Sequence, residues 1–179
     1  MLVIHPEDTS TDFLCPIYRG LRNKTVVRKN KSRKELLELV DGHERVIMLG
    51  HGSPEGLFAV NVFPDRQRGE FVVDKEFVRA LKNKDNIYIW CHADQFVHSH
   101  RLNGFFSGMF ISEILEAYSY ELDVPQKTID HSNTTFSKLV ARNIREHSEV
   151  IHRHVKAGYG MLREVNPVIA FNCERLGCA

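Results

Sequence analysis

The sequence predicts an α/β fold of three layers, in which a mostly parallel central sheet is covered by helices on both faces. Short apolar segments alternate with amphipathic ones along the chain. Two segments, Arg45–Leu49 and Asn86–Trp90, are nearly continuous apolar runs, which is typical of parallel strands buried on both faces. No repeat or linker divides the chain, so we expect one domain over residues 1–179.

Local signals place the individual elements. Ser32 is a plausible N-cap with Glu35 three residues on, and Asp74 is placed to cap another helix. We predict strands at Leu2–His5, Lys24–Arg28, Arg45–Leu49, Asn86–Trp90 and Val168–Phe171, and a hairpin of Leu57–Phe63 and Glu70–Val73 with Pro64-Asp65 in the turn. We predict helices from Ser32 to Asp41-Gly42 and over Lys75–Leu81, Ser107–Tyr120 and Ser132–Glu146. The polar segments Asp8–Gly20 and His92–Asn103 are predicted as loops.

The composition is ordinary for a globular chain, with 42% hydrophobic and 26% charged residues and a net charge of +1. No apolar run approaches the ~20 residues that span a bilayer. The N-terminal segment also lacks the basic region of a signal peptide. We therefore expect a cytoplasmic protein without membrane contact, whose four cysteines are reduced.

Basic residues concentrate in one segment. From Arg19 to Lys34 the chain has eight basic residues and no acidic one. A solvated rim and an anion- or nucleic-acid-binding patch both fit this pattern, and we favour the solvated rim. A nucleic-acid partner is therefore not expected.

Two of the predicted strands end in residues suited to nucleophilic chemistry. Arg45–Leu49 is followed by Gly50-His51-Gly52, and Asn86–Trp90 is followed by Cys91. In open parallel sheets, sites gather outside the carboxyl ends of the strands. We expect these two strands to be adjacent and parallel in the sheet centre, which would give the thiol a base to manage its proton.

The backbone around this pair could complete a catalytic site. The N–H groups of Gly52 and Cys91 could form a two-donor oxyanion hole. A cysteine at the end of a core strand is otherwise usually a packing residue. The prediction therefore depends on both residues occupying equivalent strand ends. Cys173 follows another predicted strand and is the competing nucleophile.

These motifs resemble a known fold. The segments Val46-Ile47-Met48-Leu49-Gly50-His51-Gly52 and Ile87-Tyr88-Ile89-Trp90-Cys91 resemble the caspase-like fold of caspases, gingipains, clostripain, legumains, separases and CHAT-type peptidases. The segment Gly108–Leu115 is similar to the helix that follows the cysteine loop in CHAT-like members. The resemblance covers about Arg45 to Ile144.

The resemblance implies a caspase-like cysteine peptidase. It makes Cys91 the nucleophile, His51 the general base and acid, and the N–H groups of Gly52 and Cys91 the oxyanion donors. It implies a peptide or protein substrate and no cofactor. The continuation His92-Ala93-Asp94 differs from the caspase and CHAT patterns, so amidase or acyl-transfer chemistry on a smaller amide stays open.

Two supporting roles have candidates. Asp94 could bind the substrate by selecting a basic P1 side chain, although it could equally cap a loop. The group that orients His51 could be Glu7, Asp8 or a backbone carbonyl near His5.

Two other classes of function compete with the peptidase. His92, Asp94, His98 and His100 lie within nine residues and are of the types that bind zinc, although their spacing matches no zinc motif. The chain could also be a non-catalytic interaction module of the same fold. The sequence does not indicate an oligomeric state.

Overall fold

A six-stranded mixed sheet forms the centre of the protein. The computed structural model describes residues 1–29, 31–59 and 71–179. The strands of these residues are β1 (Leu2–Ile4), β2 (Thr25–Val27), β3 (Val46–Leu49), β4 (Gly52–Ser53), β5 (Gly56–Phe58), β6 (Phe71–Val73), β7 (Asn86–Ile89), β8 (Gly104–Ser107) and β9 (Leu176–Cys178). The central sheet has the order β2-β1-β3-β7-β8-β9, in which only the β8–β9 pair is antiparallel. The predicted α/β fold with a mostly parallel sheet is confirmed.

The strands β3 and β7 are neighbours in the middle of this sheet. They run parallel, with Ile47 opposite Ile87 and Leu49 opposite Ile89. Every residue of both strands is buried, as expected for parallel strands covered on both faces. The predicted adjacency of the two strands is confirmed.

Helices cover both faces of the sheet. The α-helices of the described residues are α1 (Cys15–Arg19), α2 (Arg33–Asp41), α3 (Val78–Leu81), α4 (Ala93–His100), α5 (Ile114–Ser119), α6 (Gln126–Asn143), α7 (Ser148–Gly160) and α8 (Pro167–Glu174). Short 3-10 helices span Thr9–Leu14 and Lys75–Phe77. One core cluster joins the sheet to α1, α6, α7 and α8, and the other joins it to α2, α3 and α4.

The strand side chains divide between these two clusters by alternation. In β3, Ile47 and Leu49 belong to the first cluster, and Val46 and Met48 belong to the second. Successive residues of a strand point to opposite faces, so a strand buried on both sides supplies both cores. The sheet with its two helical coverings therefore forms three layers.

A second, smaller sheet lies beyond the end of β3. β5 pairs antiparallel with β4 and with β6, with Leu57 opposite both Gly52 and Val73. The predicted hairpin is confirmed for the described parts of its two strands. Its predicted turn, Pro64-Asp65, lies outside the described residues.

Both predicted helix caps are present. Ser32 accepts a hydrogen bond from Glu35 N while the Glu35 side chain accepts from Ser32 N, which forms the capping box before α2. The Asp74 side chain accepts from Glu76 N and begins the 3-10 helix that leads into α3. Short polar side chains at these positions bind backbone N–H groups that the helix itself leaves unpaired.

The two predicted loops are wrong. Asp8–Gly20 contains the 3-10 helix Thr9–Leu14 and α1, because Asp8 caps the first turn and Ile17 packs into the core. His92–Asn103 contains α4, whose Phe96 and Val97 are buried while most of its polar residues remain exposed. In each case the polar composition of the segment led to a loop prediction, although the segment contains a short helix with one buried face.

The prediction of a helix over Ser107–Tyr120 is also wrong at its start. Ser107 ends β8, residues 108–113 are irregular, and only α5 is helical. The helix expected over Gly108–Leu115 is therefore present only from Ile114 on. The predicted helix Ser132–Glu146 lies largely within α6, which begins earlier, at Gln126 after Pro125, and ends at Asn143.

The predicted last strand, Val168–Phe171, is part of α8 instead. Asn166 caps that helix by accepting from the N–H groups of Val168 and Ile169, and Pro167 occupies its first turn. A short apolar run does not distinguish a strand from a buried helix, so the cap and the proline were the informative residues. The edge strand β9 follows this helix.

None of the helices in the described ranges is long and apolar enough to cross a membrane. Within the basic segment, Arg28 pairs with Asp12 at 2.8 Å, and Arg33 pairs with Asp74 and Glu76. These carboxylates pair with two of the eight basic residues of the segment.

Candidate active site

The register of β3 and β7 brings His51 and Cys91 to the same level of the sheet. Each paired residue of β3 lies opposite the residue forty positions on, as Leu49 does with Ile89. Gly50 N continues this ladder by donating to Ile89 O at 3.0 Å. The same offset sets His51 beside Cys91, just past the carboxyl ends of the two strands.

Both side chains line one small cleft. Its volume is about 20 Å³, which is room for about one water-sized group. The described residues that line it are Thr11, Phe13, Leu14, Gly50, His51, Ile89, Trp90, Cys91, Phe110 and Ser112. The cleft is thus built from the ends of β3 and β7, the 3-10 helix Thr9–Leu14 and residues 108–113.

His51 is hydrogen-bonded to the 3-10 helix. Its Nε2 lies 2.7 Å from Ser10 Oγ and 3.9 Å from Asp8 Oδ2. Asp8 Oδ1 in turn accepts from Ser10 Oγ at 2.7 Å and from Ser10 N at 2.9 Å. Of the predicted orienting groups, Asp8 is therefore close to the ring, whereas Glu7 is exposed.

The third predicted orienting group, a backbone carbonyl near His5, stays a prediction, and the His5 side chain has a structural role of its own. Its ring is fully buried, with Nδ1 3.0 Å from Tyr18 Oη and Nε2 3.1 Å from Thr11 Oγ1. Thr11 lies next to Ser10 in the 3-10 helix, so His5 anchors that helix to the end of β1.

Cys91 is a neutral thiol in this arrangement. Burial, followed by the charge of Glu116, raises the pKa of the Cys91 thiol to about 12. Its S–H group donates to Phe110 O at 3.7 Å. A thiol with such a pKa gives almost no thiolate at neutral pH, so any reaction at this sulfur requires a base that removes the proton during attack.

Two carboxylates shape the electrostatics of the cleft. Burial and the neighbouring Glu116 raise the pKa of Glu113, and the nearby His51 acts in the opposite direction. Glu116 is held in place because its Oε2 accepts from Ser112 N, Ser112 Oγ and Glu113 N. Both carboxylates disfavour a negative charge on Cys91.

The chain turns sharply directly after Cys91. His92 has φ of 67° and ψ of 25°, a left-handed conformation that non-glycine residues rarely adopt, and α4 begins at the next residue. Ala93 N donates to Trp90 O at 3.2 Å, which closes the turn. Cys91 thus sits at a tight strand-to-helix junction, the kind of position where proteins concentrate backbone strain at functional sites.

Gly52 is placed by the indole of Trp90. A Cβ atom on Gly52 would lie 2.2 Å from Trp90 Cδ1 and 2.6 Å from Gly56 O, so no other residue fits without displacement. Trp90 Nε1 also donates to Ser53 O at 3.0 Å. Gly52 does not line the cleft, and its role as an oxyanion donor remains a prediction.

Residues 108–113, which include Phe110, are held in place by hydrogen bonds with two asparagine side chains. Asn172 accepts from Ile111 N at 2.8 Å and donates to Ile111 O at 2.9 Å. Asn133 donates to Ser112 O at 2.9 Å. These bonds fix the backbone of an irregular segment whose Phe110 carbonyl contacts Cys91.

Asp94 lies in the first turn of α4, away from the lining of the cleft. Its Oδ1 is buried and has no hydrogen-bond partner among the described residues, and a Cβ on Gly108 would lie 3.4 Å from its Oδ2. It therefore borders the start of residues 108–113. Its role in binding a substrate remains a prediction.

The side chains of the histidine-rich segment do not form a metal site in the described residues. Within residues 1–29, 31–59 and 71–179, no three His, Cys, Asp or Glu side chains are grouped so that they could hold a metal ion. His98 packs edge-on against Phe106 of β8, and His100 packs edge-on against Phe96, one turn earlier in the same helix.

The competing nucleophile Cys173 occupies a different environment. It is buried within α8, where its Sγ donates to Lys156 O at 3.6 Å. The prediction that it follows a core strand is wrong, since Val168–Phe171 is helical.

The fold and the cleft define an α/β protein with a cysteine and a histidine at the carboxyl edge of a mostly parallel sheet. Comparisons with family models, curated proteins and solved structures find no match for the chain. A function for the cleft must therefore be argued from its own geometry.

Sequence reasoning missed several residues of this site. Ser10 lay in a segment predicted as loop, although the pattern Asp8-Thr9-Ser10 is a usable N-cap signal. The Phe110 carbonyl and the carboxylates Glu113 and Glu116 were hidden by the predicted helix at Ser107–Tyr120. No sequence pattern distinguishes such tertiary neighbours from surface residues.

Proposed function

We propose that this protein is a cysteine-type hydrolase of amide bonds, a peptidase of the caspase-like kind, with Cys91 as nucleophile and His51 as base. The observation that carries the proposal is the shared cleft of these two side chains at the ends of paired strands. The tight turn at His92, which follows the nucleophile, supports the same assignment.

The neutral thiol determines the order of events. His51 removes the Cys91 proton as the sulfur attacks the carbonyl carbon, so that the S–C bond forms while the carbonyl electrons move onto oxygen. When the intermediate collapses, the C–N bond breaks and His51 gives its proton to the leaving amine. A water molecule, deprotonated by His51, then hydrolyses the thioester and restores the thiol.

The ladder of the small sheet supports Gly52 as one oxyanion donor. Phe58 N donates to His51 O, so the next pair, Gly52 with Leu57, falls at a position without ladder hydrogen bonds. The Gly52 N–H therefore points away from β5. Together with the Cys91 N–H it is the donor pair that we propose for the carbonyl oxygen.

The cleft limits what the substrate can place beside Cys91. The cleft beside the sulfur has a volume of only about 20 Å³, which favours a substrate that lies across its opening over one that inserts a side chain into it. Asp94 borders residues 108–113 and is the acid that we propose for a basic P1 side chain. A smaller amide is the alternative substrate for the same chemistry.

The test combines labelling with turnover. A thiol-directed acylating probe and a chromogenic peptide-amide library are applied to the wild type, Cys91→Ser and Cys173→Ser. We expect Cys91→Ser to lose labelling and turnover and Cys173→Ser to keep both. We expect His51→Ala to fold normally and to lower acylation on the order of 10²–10⁴-fold.

The opposite results identify other functions. Loss of activity in Cys173→Ser alone would show that Cys173, and not Cys91, is the nucleophile. Acylation of His51→Ala at the wild-type rate would exclude His51 as the base, and His92 would be the next candidate. A chain that is neither labelled nor active under any condition would be a non-catalytic module.

A further inference from the structure

The contacts of His51 with the 3-10 helix determine which of its ring nitrogens carries the proton. Ser10 Oγ lies 2.7 Å from both His51 Nε2 and Asp8 Oδ1, yet a hydroxyl carries a single proton. Only one of these two contacts can therefore use the Ser10 proton. In the other contact, the Ser10 oxygen must accept a hydrogen bond from its partner.

The Asp8 carboxylate resolves this choice. A carboxylate has no proton to give, so the short contact between Ser10 and Asp8 requires the Ser10 hydroxyl to donate. Ser10 N donates to the same Oδ1 atom at 2.9 Å, which fixes the carboxylate as the N-cap of the 3-10 helix. The Ser10 oxygen is then left to accept, and the only donor that fits at His51 is Nε2–H.

We infer that Ser10, itself oriented by Asp8, holds His51 as the Nε2–H tautomer, so that Nδ1 carries the lone pair that accepts the Cys91 proton. Ser10 and Asp8 are positioning residues, because they act through His51. The role rests on the proposed function, but the tautomer is a property of the resting protein and can be measured without a substrate.

The 3-10 helix is anchored well enough to impose such an orientation. Thr11 Oγ1 donates to Asp8 O at 3.0 Å and contacts the buried His5 ring. At the other end of this helix, Ser137 Oγ donates to Phe13 O at 2.5 Å and ties it to α6. Ser10 is therefore presented to His51 by a segment that is bound to the core on both sides.

The same arrangement suits the charged state of His51. When Nδ1 takes the thiol proton, Nε2–H still donates to Ser10, and the Asp8 carboxylate lies 3.9 Å from that nitrogen. The imidazolium thus forms next to a countercharge and keeps its hydrogen bond to Ser10. This contact is in place before proton transfer, whereas the Cys91 S–H group must turn from Phe110 O toward His51.

The first experiment reads the tautomer directly. Protein labelled with ¹⁵N-histidine is examined by NMR at about pH 8, where neutral imidazole is favoured, and His51 is assigned by the signal missing in His51→Gln. We expect Nε2–H in the wild type, a mixture of tautomers in Ser10→Ala and recovery in Ser10→Thr. Thr9→Ala, on the exposed side of the same 3-10 helix, is the matched control and should match the wild type.

The second experiment uses any substrate that is hydrolysed through Cys91. We expect Ser10→Ala to lower kcat by about tenfold to a hundredfold with KM nearly unchanged, and Ser10→Thr to restore most of it. Asp8→Asn keeps the N-cap acceptor but removes the charge, so it should lower kcat as well.

Several results would overturn the inference. An Nδ1–H tautomer in the wild type, or an Nε2–H tautomer that persists in Ser10→Ala, would each exclude the role of Ser10. Activity that survives Cys91→Ser but not Ser10→Ala would make Ser10 the nucleophile. If no turnover is found, the proposed function fails while the NMR result still decides the tautomer.

Discussion

Cys91 shares its surroundings with Glu113 and Glu116 as well as with His51. Burial is the main reason why the pKa of its thiol is raised, and the two carboxylates raise it further. The resting site therefore contains a protected thiol, and its reactivity depends on the base that removes the proton. This property separates Cys91 from an exposed cysteine of ordinary pKa, a larger fraction of which is thiolate at neutral pH.

Removing one of these charges should make the thiol more reactive. We expect Glu113→Gln to lower the pKa of Cys91, because one negative charge that opposes the thiolate is gone. Alkylation by iodoacetamide should then be about two- to fivefold faster at a given pH, with its midpoint moved to lower pH. Glu38→Gln, on the exposed face of α2, is the control, and alkylation no faster than in that variant would contradict the expectation.

At the residue scale, sequence reasoning found the two reactive side chains but not their partners. His51 and Cys91 lie just after apolar strands, so their position at the carboxyl edge of the sheet could be inferred from the strand pattern. Ser10 contacts His51, Phe110 lines the cleft and Glu113 acts on Cys91 through its charge. All three lie in irregular or short helical segments, where spacing along the chain carries no information on contact. Such residues become visible only once the segments are folded onto the sheet.

At the element scale, strands were predicted better than helices. The central strands are buried on both faces and read as apolar runs, whereas α4 and α8 are short and have weak or ambiguous periodicity. For α8 the cap at Asn166 and the proline after it were stronger signals than the apolar run. Capping residues deserve more weight than hydrophobicity in elements of this length.

The contact between β4 and the end of β7 gives an element-scale prediction. We expect Gly52→Ala to lower the free energy of unfolding by about 1–3 kcal/mol, because the new Cβ would overlap Trp90 and Gly56 O. Urea unfolding measures the change. Gly20→Ala is the matched control, since a Cβ at that position meets nothing within 4 Å. Equal stability of the two variants would mean that β4 does not pack on Trp90 as described.

At the scale of the whole molecule, the candidate site is assembled from distant parts of the chain. β3 and β7 contribute His51 and Cys91, the 3-10 helix Thr9–Leu14 contributes Ser10, and residues 108–113 cover the sulfur. The same 3-10 helix is bound to the buried His5 through Thr11. The buried His5 therefore stabilises the fold and also holds the helix that positions His51.

This link predicts a dependence of stability on pH. Burial, followed by the charge of Arg28, lowers the pKa of His5 from 6.5 to about 4. The unfolded chain therefore binds a proton at His5 between these two values while the folded protein does not, so stability falls as pH falls through this window. From about pH 7 to about pH 5 the loss from this group should be about 2 kcal/mol.

The measurement is urea unfolding at both pH values, for the wild type and for His5→Gln. Gln does not titrate and can keep hydrogen bonds to Tyr18 and Thr11, so the difference between the two pH values should shrink by about 2 kcal/mol. An unchanged pH dependence in His5→Gln would show that other groups control the acid sensitivity.

Trp90 gives this protein a built-in optical reporter. It is the single tryptophan of the chain, it directly precedes Cys91, and its indole N–H is bonded to Ser53 O in the strand that follows His51. Any displacement of that strand breaks this bond and exposes the ring to a more polar environment, which shifts tryptophan fluorescence. Displacement of this strand, including any that accompanies the acylation proposed for Cys91, can therefore be followed in real time in the unlabelled protein.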